Sequence, residues 1–477
     1  MRFLNVLPLL APALLQAQQP PATPATTTSA AIPRDRATVI AMIDSLANDH
    51  LSRGAPSVAV AVVRGRDTIV MRGYGLANRE ASRAATPNTI YEIGSITKQF
   101  TAAAIMRLVE QGKIGLQDDM SKYLPDFPLQ GHHVTIRQLL NHTSGIHSYT
   151  SSPAWRATWA RDLPPDSIVA FVARDSFDFA PGTKWAYNNT GYVLLGMIIE
   201  KVAGKPYATV LDEMFFRPLD LTQTGYCPSR TSDARYAAGY SVRGPGAPAV
   251  PAEYLSLTHP FSAGALCSTV RDYLAWQRAL HGGRVVSAAS YREMTTPDTL
   301  PNGGRHNYGF GLAVGMLGTH RMIQHGGGIN GFTTAQSWFP DDSLSVIVFT
   351  NADGIGPDMA AMNMARAVLG LPLVSRPVAP PVVPIDAAGR ARVAGTYDFR
   401  MPTGGTFTVH LTVDGDQLMG QAEGPGQGKF PMLHYGNDVF GAAFDPTLRF
   451  TVISANGVVT GATLAQRGGV MQGVRRP

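Results

Sequence analysis

The chain of 477 residues is long enough for two domains, and its hydrophobic content of 44% is that of a globular protein. Its formal net charge of +6 comes from arginines and a few lysines that are scattered singly rather than grouped into a basic stripe. The composition therefore argues against a nucleic-acid-binding protein.

The N-terminus has the pattern of a secretory signal peptide. Arg2 precedes the apolar run FLNVLPLLAPALL, and Ala17 offers a small residue for cleavage. The run is too short and too interrupted by proline to span a membrane. We therefore predict a secreted or periplasmic protein that loses residues 1–17, has no membrane span in its mature part, and continues with a linker rich in Pro, Thr and Ala at residues 18–35.

From residue 36 to residue 372 the periodicity indicates helices and strands in a mixed order. A helical pattern is followed by the strands SVAVAVV and DTIVMRGYG, which form a hairpin. Helical patterns then lead to the strands RMIQHGG, GFTTAQSWFP and SLSVIVFTN and to a last helix, PDMAAMNMARAVLGL. Because strands lie at both ends of this region, we expect both ends to share one antiparallel sheet, with the helices around it.

The C-terminal part of the sequence predicts a separate unit. Residues 373–384 include the run PVAPPVVP, which has the composition of a linker. Residues 385–477 then alternate between polar and apolar positions in strand fashion, with turn residues between the runs. We expect a small all-β domain here, similar to a barrel.

A serine and a lysine three residues apart open one of the predicted helices. In the stretch YEIGSITKQF, Ser95 and Lys98 follow Gly94 and lie on one face of the first helical turn. A lysine shielded from water loses its proton more readily, and the neutral amine can then accept the proton of the serine. Of the seven lysines in the chain, Lys98 alone follows a serine at this spacing. We therefore predict a catalytic pair rather than a capping serine beside a solvated lysine.

Two further motifs supply groups for the same chemistry. In PGTKWAYNNTGYVLLG, the phenol of Tyr187 can relay a proton, and the amide of Asn189 can orient the lysine or a substrate carbonyl. In QHGGGINGF, the glycines after His325, among them Gly327, let a strand backbone lie flat against a substrate.

These three motifs, in this order and spacing, resemble those of the serine β-lactamase and penicillin-binding-protein superfamily. The resemblance is closest to the class C-like branch, which holds cephalosporinases, DD-carboxypeptidases, D-aminopeptidases and family VIII esterases. The stretches TIRQLLNHTSGI, FAPGTKWAYNNTGYVLLG and AGALCSTVRDYLAWQRAL are similar to the same branch, so that the likeness covers residues 36–372. It implies an α/β (α+β) fold of the β-lactamase/transpeptidase type, with an antiparallel sheet flanked by helices and a helical subdomain.

The resemblance also implies a role for each residue of the motifs. The catalytic residues that it implies are Ser95 as the acylated nucleophile, Lys98 as its base and Tyr187 as the proton relay. The groups that it implies around the substrate are the side chains of Asn189 and His325, the backbone at Gly327, and an oxyanion hole made by the N–H groups of Ser95 and Gly328.

One departure from the family pattern bears on the substrate. Class C β-lactamases carry Lys-Thr-Gly where this chain has His325-Gly326-Gly327, as the esterase and aminopeptidase members do. A histidine gains its charge only as the pH falls towards ~6.5, so that a substrate carboxylate is held less well. We expect a secreted hydrolase that cleaves a short-chain ester or a D-amino-acid peptide or amide through an acyl-serine. The alternatives are a β-lactamase or DD-carboxypeptidase, and a binding or sensing protein that is acylated without turnover.

The remaining candidate residues concern a disulfide and a metal. An even number of cysteines in an exported chain favours a disulfide between Cys227 and Cys267 over two buried thiols. The histidines at positions 132, 133, 142 and 147 have no metal-binding pattern, and His142 lies in the family-like NHTSG turn, which indicates a structural role. We predict no metal and no cofactor, and a small molecule or peptide as the substrate.

Overall fold

A computed structural model describes residues 34–228, 231–243, 247–375, 380–400, 406–423, 429–442, 445–466 and 469–476. The predicted signal peptide lies outside these residues, as do parts of the two predicted linkers. Contacts divide the chain into two compact units, and the boundary between them lies after Leu373. Within the described ranges, no helix is both long enough and apolar enough to cross a membrane.

The first unit is built on a seven-stranded antiparallel sheet. The strands of the whole unit, in chain order, are β1 (Ser57–Arg64), β2 (Asp67–Asn78), β3 (Arg83–Ala84), β4 (Tyr91–Glu92), β5 (Gly225–Tyr226), β6 (Tyr240–Ser241), β7 (Val250–Pro251), β8 (Leu266–Ser268), β9 (Ala313–Leu317), β10 (His320–Ile329), β11 (Phe332–Phe339), β12 (Leu344–Thr350) and β13 (Ala352–Asp353). The large sheet has the order β3-β2-β1-β12-β11-β10-β9, and two small sheets have the orders β4-β8-β5 and β13-β6-β7. Strand β1 pairs antiparallel with β12, so the prediction that both ends of this region share one sheet is confirmed.

Helices cover both faces of the large sheet. They are α1 (Arg36–Ser52), α2 (Thr97–Glu110), α3 (Ile136–Leu140), α4 (Pro153–Arg156), α5 (Pro165–Ala170), α6 (Asn189–Ala203), α7 (Tyr207–Leu211), α8 (Phe261–Gly264), α9 (Val270–His281), α10 (Ala288–Met294) and α11 (Asp358–Val368). In β1, Val60 packs with residues of α1 and α11, whereas its neighbour Ala61 packs with residues of α2 and α9. Because both faces of the sheet are buried at β1, the sequence of this strand is a continuous apolar run and does not alternate between polar and apolar residues.

The helix that carries the Ser-x-x-Lys motif begins later than its sequence pattern predicts. Gly94 has a positive φ of 52°, which a residue with a side chain rarely adopts. Residues Gly94–Ile96 form a 3-10 turn, and α2 follows at Thr97. Ser95 therefore lies in the tight turn before the helix, while Lys98 lies in the first turn of the helix itself. The preceding strand β4 is held on β8.

Where the structure describes the second unit, from residue 374 onwards, it is all-β apart from the short helix α12 (Ala387–Val393). Its strands are β14 (Gly395–Arg400), β15 (Thr406–Asp414), β16 (Gln417–Ala422), β17 (Phe430–Pro431), β18 (Leu433–His434), β19 (Val439–Ala442), β20 (Asp445–Ala455), β21 (Val458–Gln466) and β22 (Gly469–Arg475). They form one sheet in the order β17-β16-β15-β14-β22-β21-β20-β19-β18. The edge strands β17 and β18 are separated in the chain by Met432 alone. The buried side chains of this unit, among them Tyr397, Leu411 and Phe450, form one hydrophobic core.

Candidate active site

Ser95 and Lys98 face each other at the start of α2. The Oγ atom of Ser95 lies 3.0 Å from the Nζ atom of Lys98, within hydrogen-bonding distance. Lys98 has no exposed surface, and burial lowers its pKa well below the ordinary value for a lysine. The lysine therefore sits where a neutral amine is favoured, beside a hydroxyl that has a proton to lose.

Three hydrogen-bonding neighbours surround the lysine nitrogen, and two of them can only accept. Nζ lies 2.9 Å from Oδ1 of Asn189 and 2.7 Å from the carbonyl oxygen of Ala263. The Nδ2 atom of the same amide donates to Oγ1 of Thr150, which agrees with this orientation of the amide. A neutral amine has two protons and one lone pair. Donation to Asn189 and to Ala263 uses both protons, so the lone pair is left for the hydroxyl of Ser95.

Tyr187 lies beside the same amine. The centre of its ring is 4.8 Å from Nζ of Lys98. Its hydroxyl is buried and has no hydrogen-bond partner within the part of the chain that the structure describes. Burial raises the pKa of Tyr187, and the neighbouring Ser95 side chain offsets only part of this shift. The phenol therefore keeps its proton at neutral pH, and that proton is not committed to another protein group.

Strand β10 approaches the serine turn so closely that glycine is required on both sides. A Cβ atom on Gly327 would lie 2.0 Å from the carbonyl oxygen of Ile93, and a Cβ atom on Gly94 would lie 2.8 Å from the backbone nitrogen of Gly328. Oγ1 of Thr334 also donates to the carbonyl oxygen of Ile93. The backbone N–H of Gly328 is thereby held next to the turn that carries the serine.

His325 is buried and engaged through both ring nitrogens. Its Nδ1 lies 2.5 Å from the carbonyl oxygen of Gly326, so Nδ1 carries the proton, and Nε2 accepts a hydrogen bond of 2.7 Å from the hydroxyl of Tyr308. Burial lowers the pKa of His325 to about 3. The expectation that this ring becomes charged as the pH falls towards ~6.5 is therefore wrong, because a buried imidazole loses the hydration that stabilises its cation.

Several residues next to the site are not distinguished by the sequence patterns. The carbonyl of Ala263 and the hydroxyl of Tyr308 carry no sequence signal as functional groups. His142 lies between two of the tyrosines, with its ring centre 4.4 Å from that of Tyr187 and 4.5 Å from that of Tyr308. Its Nδ1 accepts from the backbone N–H of Asn188, which links the NHTSG turn to the start of α6. The ring of His142, for which the sequence indicated a structural role, therefore packs against the predicted proton relay Tyr187.

The remaining predicted residues lie apart from this group. The sulfur atoms of Cys227 and Cys267 are bonded to each other and join the end of β5 to β8. His133 lies beside Asp119, and His147 lies beside Asp178. Across the described ranges, no group of three or more His, Cys, Asp or Glu side chains is arranged to hold a metal ion.

Comparisons with known proteins agree with this geometry. The model of the family described as Beta-lactamase matches residues 36–371. Penicillin-binding protein 4* of Bacillus subtilis is 31% identical over 382 residues, which is 75% of this chain and 81% of that protein. A D-aminopeptidase of Brucella canis is 29% identical over 66% of this chain, although the match spans only 60% of that protein.

A solved structure gives the same result. The D-stereospecific amidohydrolase from Streptomyces sp. is 30% identical and superposes with a TM-score of 0.60, covering 69% of this chain and 98% of that one. The match of the family model to well over half of the sequence is decisive. The chain belongs to the Beta-lactamase family and is a serine hydrolase.

Proposed function

We propose that this protein hydrolyses amides or short peptides of D-amino acids through an acyl-serine intermediate. The observation that carries the proposal is the arrangement of Nζ of Lys98, which has two acceptors for its two protons and the hydroxyl of Ser95 for its lone pair. A base prepared in this way activates a serine without a histidine.

Acylation follows from these contacts. Oγ of Ser95 attacks the scissile carbonyl carbon as its proton passes to Nζ of Lys98, and the N–H groups of Ser95 and Gly328 stabilise the oxyanion. The hydroxyl of Tyr187 then donates its proton to the leaving nitrogen as the C–N bond breaks, and the proton on Lys98 restores the phenol. Water attacks the acyl-serine in the second half of the cycle and releases the acid.

The choice of substrate class rests on His325 and on the relatives. A neutral, buried imidazole does not provide a cation for a substrate carboxylate, which favours substrates that need none. Two of the similar proteins are named for D-stereospecific hydrolysis of amides or peptides, and these names support the same class here.

Short-chain esters form a second candidate class. The same neutral His325 favours them, because an ester of a small acid has no carboxylate to anchor. A protein that is acylated once and only senses its ligand fits less well, since such a protein has no use for the buried phenol of Tyr187 beside the lysine.

A substrate panel separates these possibilities. We expect kcat/KM for D-alanine p-nitroanilide to exceed kcat/KM for the L-enantiomer. We also expect kcat/KM for D-alanine p-nitroanilide and kcat/KM for p-nitrophenyl acetate each to exceed kcat/KM for nitrocefin. An enzyme that prefers nitrocefin to every amide and ester would be a β-lactamase. An enzyme that cleaves the ester but neither anilide would be an esterase, and the amide proposal would be abandoned.

We also propose that the protein is exported and that residues 36–372 and 385–477 are separate domains. The bond between Cys227 and Cys267 supports export, because disulfides persist in oxidising compartments. Mass spectrometry of the mature N-terminus from the producing cell tests export, and limited proteolysis within residues 373–384 tests the domain boundary.

A further inference from the structure

A cavity of about 350 Å³ opens on the first unit between the start of α5, the end of α6 and the start of α8. Its wall includes the rings of Tyr226 and Phe261 and the apolar run Leu163–Pro165. A cavity of this volume is large enough for a small organic molecule or for a side chain with part of its backbone. None of the residues placed around Ser95 lines it, so the cavity is separate from the catalytic group.

Two carboxylates face this cavity without a cation. The side chain of Asp162 accepts a hydrogen bond from the hydroxyl of Ser256, and Oε1 of Glu200 accepts one of 2.7 Å from the backbone N–H of Tyr207. The second oxygen of each carboxylate has no donor among the described residues, and none of the described residues that line the cavity is basic. The cavity therefore offers two acceptors of negative charge and no counter-charge.

The two carboxylates are close enough to act on one group. Burial raises the pKa of Tyr226, and the charges of Glu200 and Asp162 raise it further. Both carboxylates therefore lie near the hydroxyl of this tyrosine, which donates a hydrogen bond of 2.9 Å to the carbonyl oxygen of Leu257. Because the proton of the phenol is committed to Leu257, it is not available to either carboxylate. The two negative charges repel each other, and a cation that reaches both would remove this cost.

The aromatic wall of the cavity is held in place before any ligand arrives. The ring centres of Tyr226 and Phe261 lie 6.3 Å apart, with their planes inclined at 57°. Phe261 has a positive φ of 38°, which a bulky residue rarely adopts, and its ring centre lies 5.2 Å from that of Tyr207. A wall that is fixed in advance loses little conformational freedom when a ligand binds, so less of the interaction energy is spent on ordering it.

These groups match a guanidinium ion better than an ammonium ion or a metal ion. A guanidinium group is planar, carries five N–H donors and can donate to two carboxylates at once while one of its faces lies on an aromatic ring. An ammonium group is a compact, strongly hydrated charge without a flat face. Across the described ranges, no three His, Cys, Asp or Glu side chains are arranged to hold a metal ion.

We propose that this cavity binds a guanidinium group on an apolar stem, as an arginine side chain of a peptide presents it. Asp162 and Glu200 pair with the guanidinium group, and the apolar run Leu163–Pro165 contacts the stem. Asp162 is exposed, so that the ligand can enter from solvent. A peptide arginine fits better than free arginine, whose own carboxylate would bring a third negative charge to the cavity. The site goes beyond the proposed function and does not depend on it.

The cavity shares one element with the catalytic group. Phe261 is the first residue of α8, and the carbonyl oxygen of Ala263 on the same helix accepts the hydrogen bond from Nζ of Lys98. A ligand in the cavity therefore contacts the helix that supports the lysine without entering the catalytic group itself.

The test uses two ligands that differ in charge. N-acetyl-L-citrullinamide has a neutral urea where N-acetyl-L-argininamide has a guanidinium group. In NMR titrations of the wild-type full chain, we expect the arginine compound to bind at least about fivefold more tightly than the citrulline compound and than free L-arginine.

Variants of the two carboxylates locate the preference. Asp162→Asn and Glu200→Gln keep an oxygen that can accept the hydrogen bond from Ser256 or Tyr207, and each should weaken binding of the arginine compound by about threefold. The double variant should bind the arginine and citrulline compounds equally. Asp126→Asn, which removes an exposed carboxylate that does not line the cavity, should keep the wild-type preference. Equal binding of the two compounds by the wild type, or a preference unchanged in the double variant, would overturn the site.

A further titration separates the cavity from the nucleophile. Protein labelled at Ser95 by a fluorophosphonate should bind N-acetyl-L-argininamide as tightly as unlabelled protein does, and loss of binding on labelling would overturn the cavity site. If no D-amino-acid amide and no ester is cleaved, but the arginine compound binds through Asp162 and Glu200, then the proposed function fails and this site stands. If D-alanine p-nitroanilide is cleaved and the double variant keeps the preference for the arginine compound, then the site fails and the proposed function stands.

Discussion

The carbonyl oxygen of Ala263 accepts a hydrogen bond of 2.7 Å from Nζ of Lys98, although the two residues are 165 positions apart in the chain. This contact accounts for one of the two protons of the neutral amine, and Asn189 accounts for the other. The chemistry of the lysine is therefore determined by α6 and α8 as much as by its own helix.

Replacing Ser95 with alanine removes the nucleophile. We expect the variant Ser95→Ala to lose turnover by on the order of 10³-fold or more and to lose covalent labelling by a fluorophosphonate. Ser121→Ala, at an exposed position in the same unit, serves as the matched control and should label as the wild type does. Normal labelling of Ser95→Ala would assign the nucleophile to a different residue.

Replacing Tyr187 with phenylalanine separates activity from stability. The buried hydroxyl has no hydrogen-bond partner in the described part of the protein, so its removal should leave the free energy of unfolding unchanged or raise it by about 1–2 kcal/mol. The acylation rate should fall by about 10²–10⁴-fold, because the leaving group loses its proton donor. Urea denaturation and stopped-flow acylation measure the two effects. An unchanged acylation rate would exclude Tyr187 from the mechanism.

Lys98 should make both activity and stability depend on pH. Burial lowers the pKa of Lys98 in the folded protein, whereas in the unfolded chain it is about 10.4. Between these two values the unfolded chain binds a proton that the folded protein does not, so the free energy of unfolding rises with pH, by at most about 1.4 kcal/mol per pH unit. Acylation should fall as the pH drops through the lowered pKa, because the amine becomes protonated.

The matched variant for this prediction is Lys98→Met, which has a similar length and no charge. Urea denaturation at about pH 7 and about pH 9 should show a smaller rise in the free energy of unfolding for the variant than for the wild type. Equal rises in both proteins would mean that the amine is already protonated when the protein is folded.

Replacing His325 with lysine should change the preferred substrate. A cation at this position would attract a carboxylate, so the ratio of nitrocefin to p-nitrophenyl acetate hydrolysis in kcat/KM should rise by about tenfold. The control is His325→Gln, which adds no charge and should not raise the ratio. When the pH is varied, the same ratio in the wild type should show no step near pH ~6.5, because burial lowers the pKa of His325 to about 3. A ratio that is equal in the lysine and glutamine variants would mean that the side chain does not influence the substrate.

The bond between Cys227 and Cys267 should stabilise the first unit. It spans a sequence separation of 40 residues, for which the loss of chain entropy in the unfolded state corresponds to roughly 3–4 kcal/mol. The double variant Cys227→Ser with Cys267→Ser should unfold at correspondingly lower urea concentration. Titration of the exported wild type under denaturing, non-reducing conditions should find no free thiol, and two free thiols would contradict the prediction.

Local patterns were sufficient for much of the fold and for the identity of the candidate residues. The pairing of β1 with β12 follows from apolar runs at both ends of the first unit, because strands with two buried faces need partners and helices on each side. The spacing of Ser95 and Lys98 places them together through the geometry of one turn, which depends on no distant part of the chain. Tyr187 and Asn189 were selected because their side chains can relay a proton and orient the lysine, and the resemblance to a family then implied the same roles.

The states of these groups were decided by the tertiary structure alone. From the sequence alone, Lys98 and His325 are expected to have their ordinary pKa values. Burial by distant elements lowers both pKa values, so that the amine of Lys98 and the ring of His325 are neutral. The hydrogen bond that the carbonyl of Ala263 accepts from Lys98 has no sequence signal either, because every residue has a carbonyl. Residue type determines which protons are available, and the packing of remote segments determines where those protons reside, since desolvation depends on everything that surrounds a group.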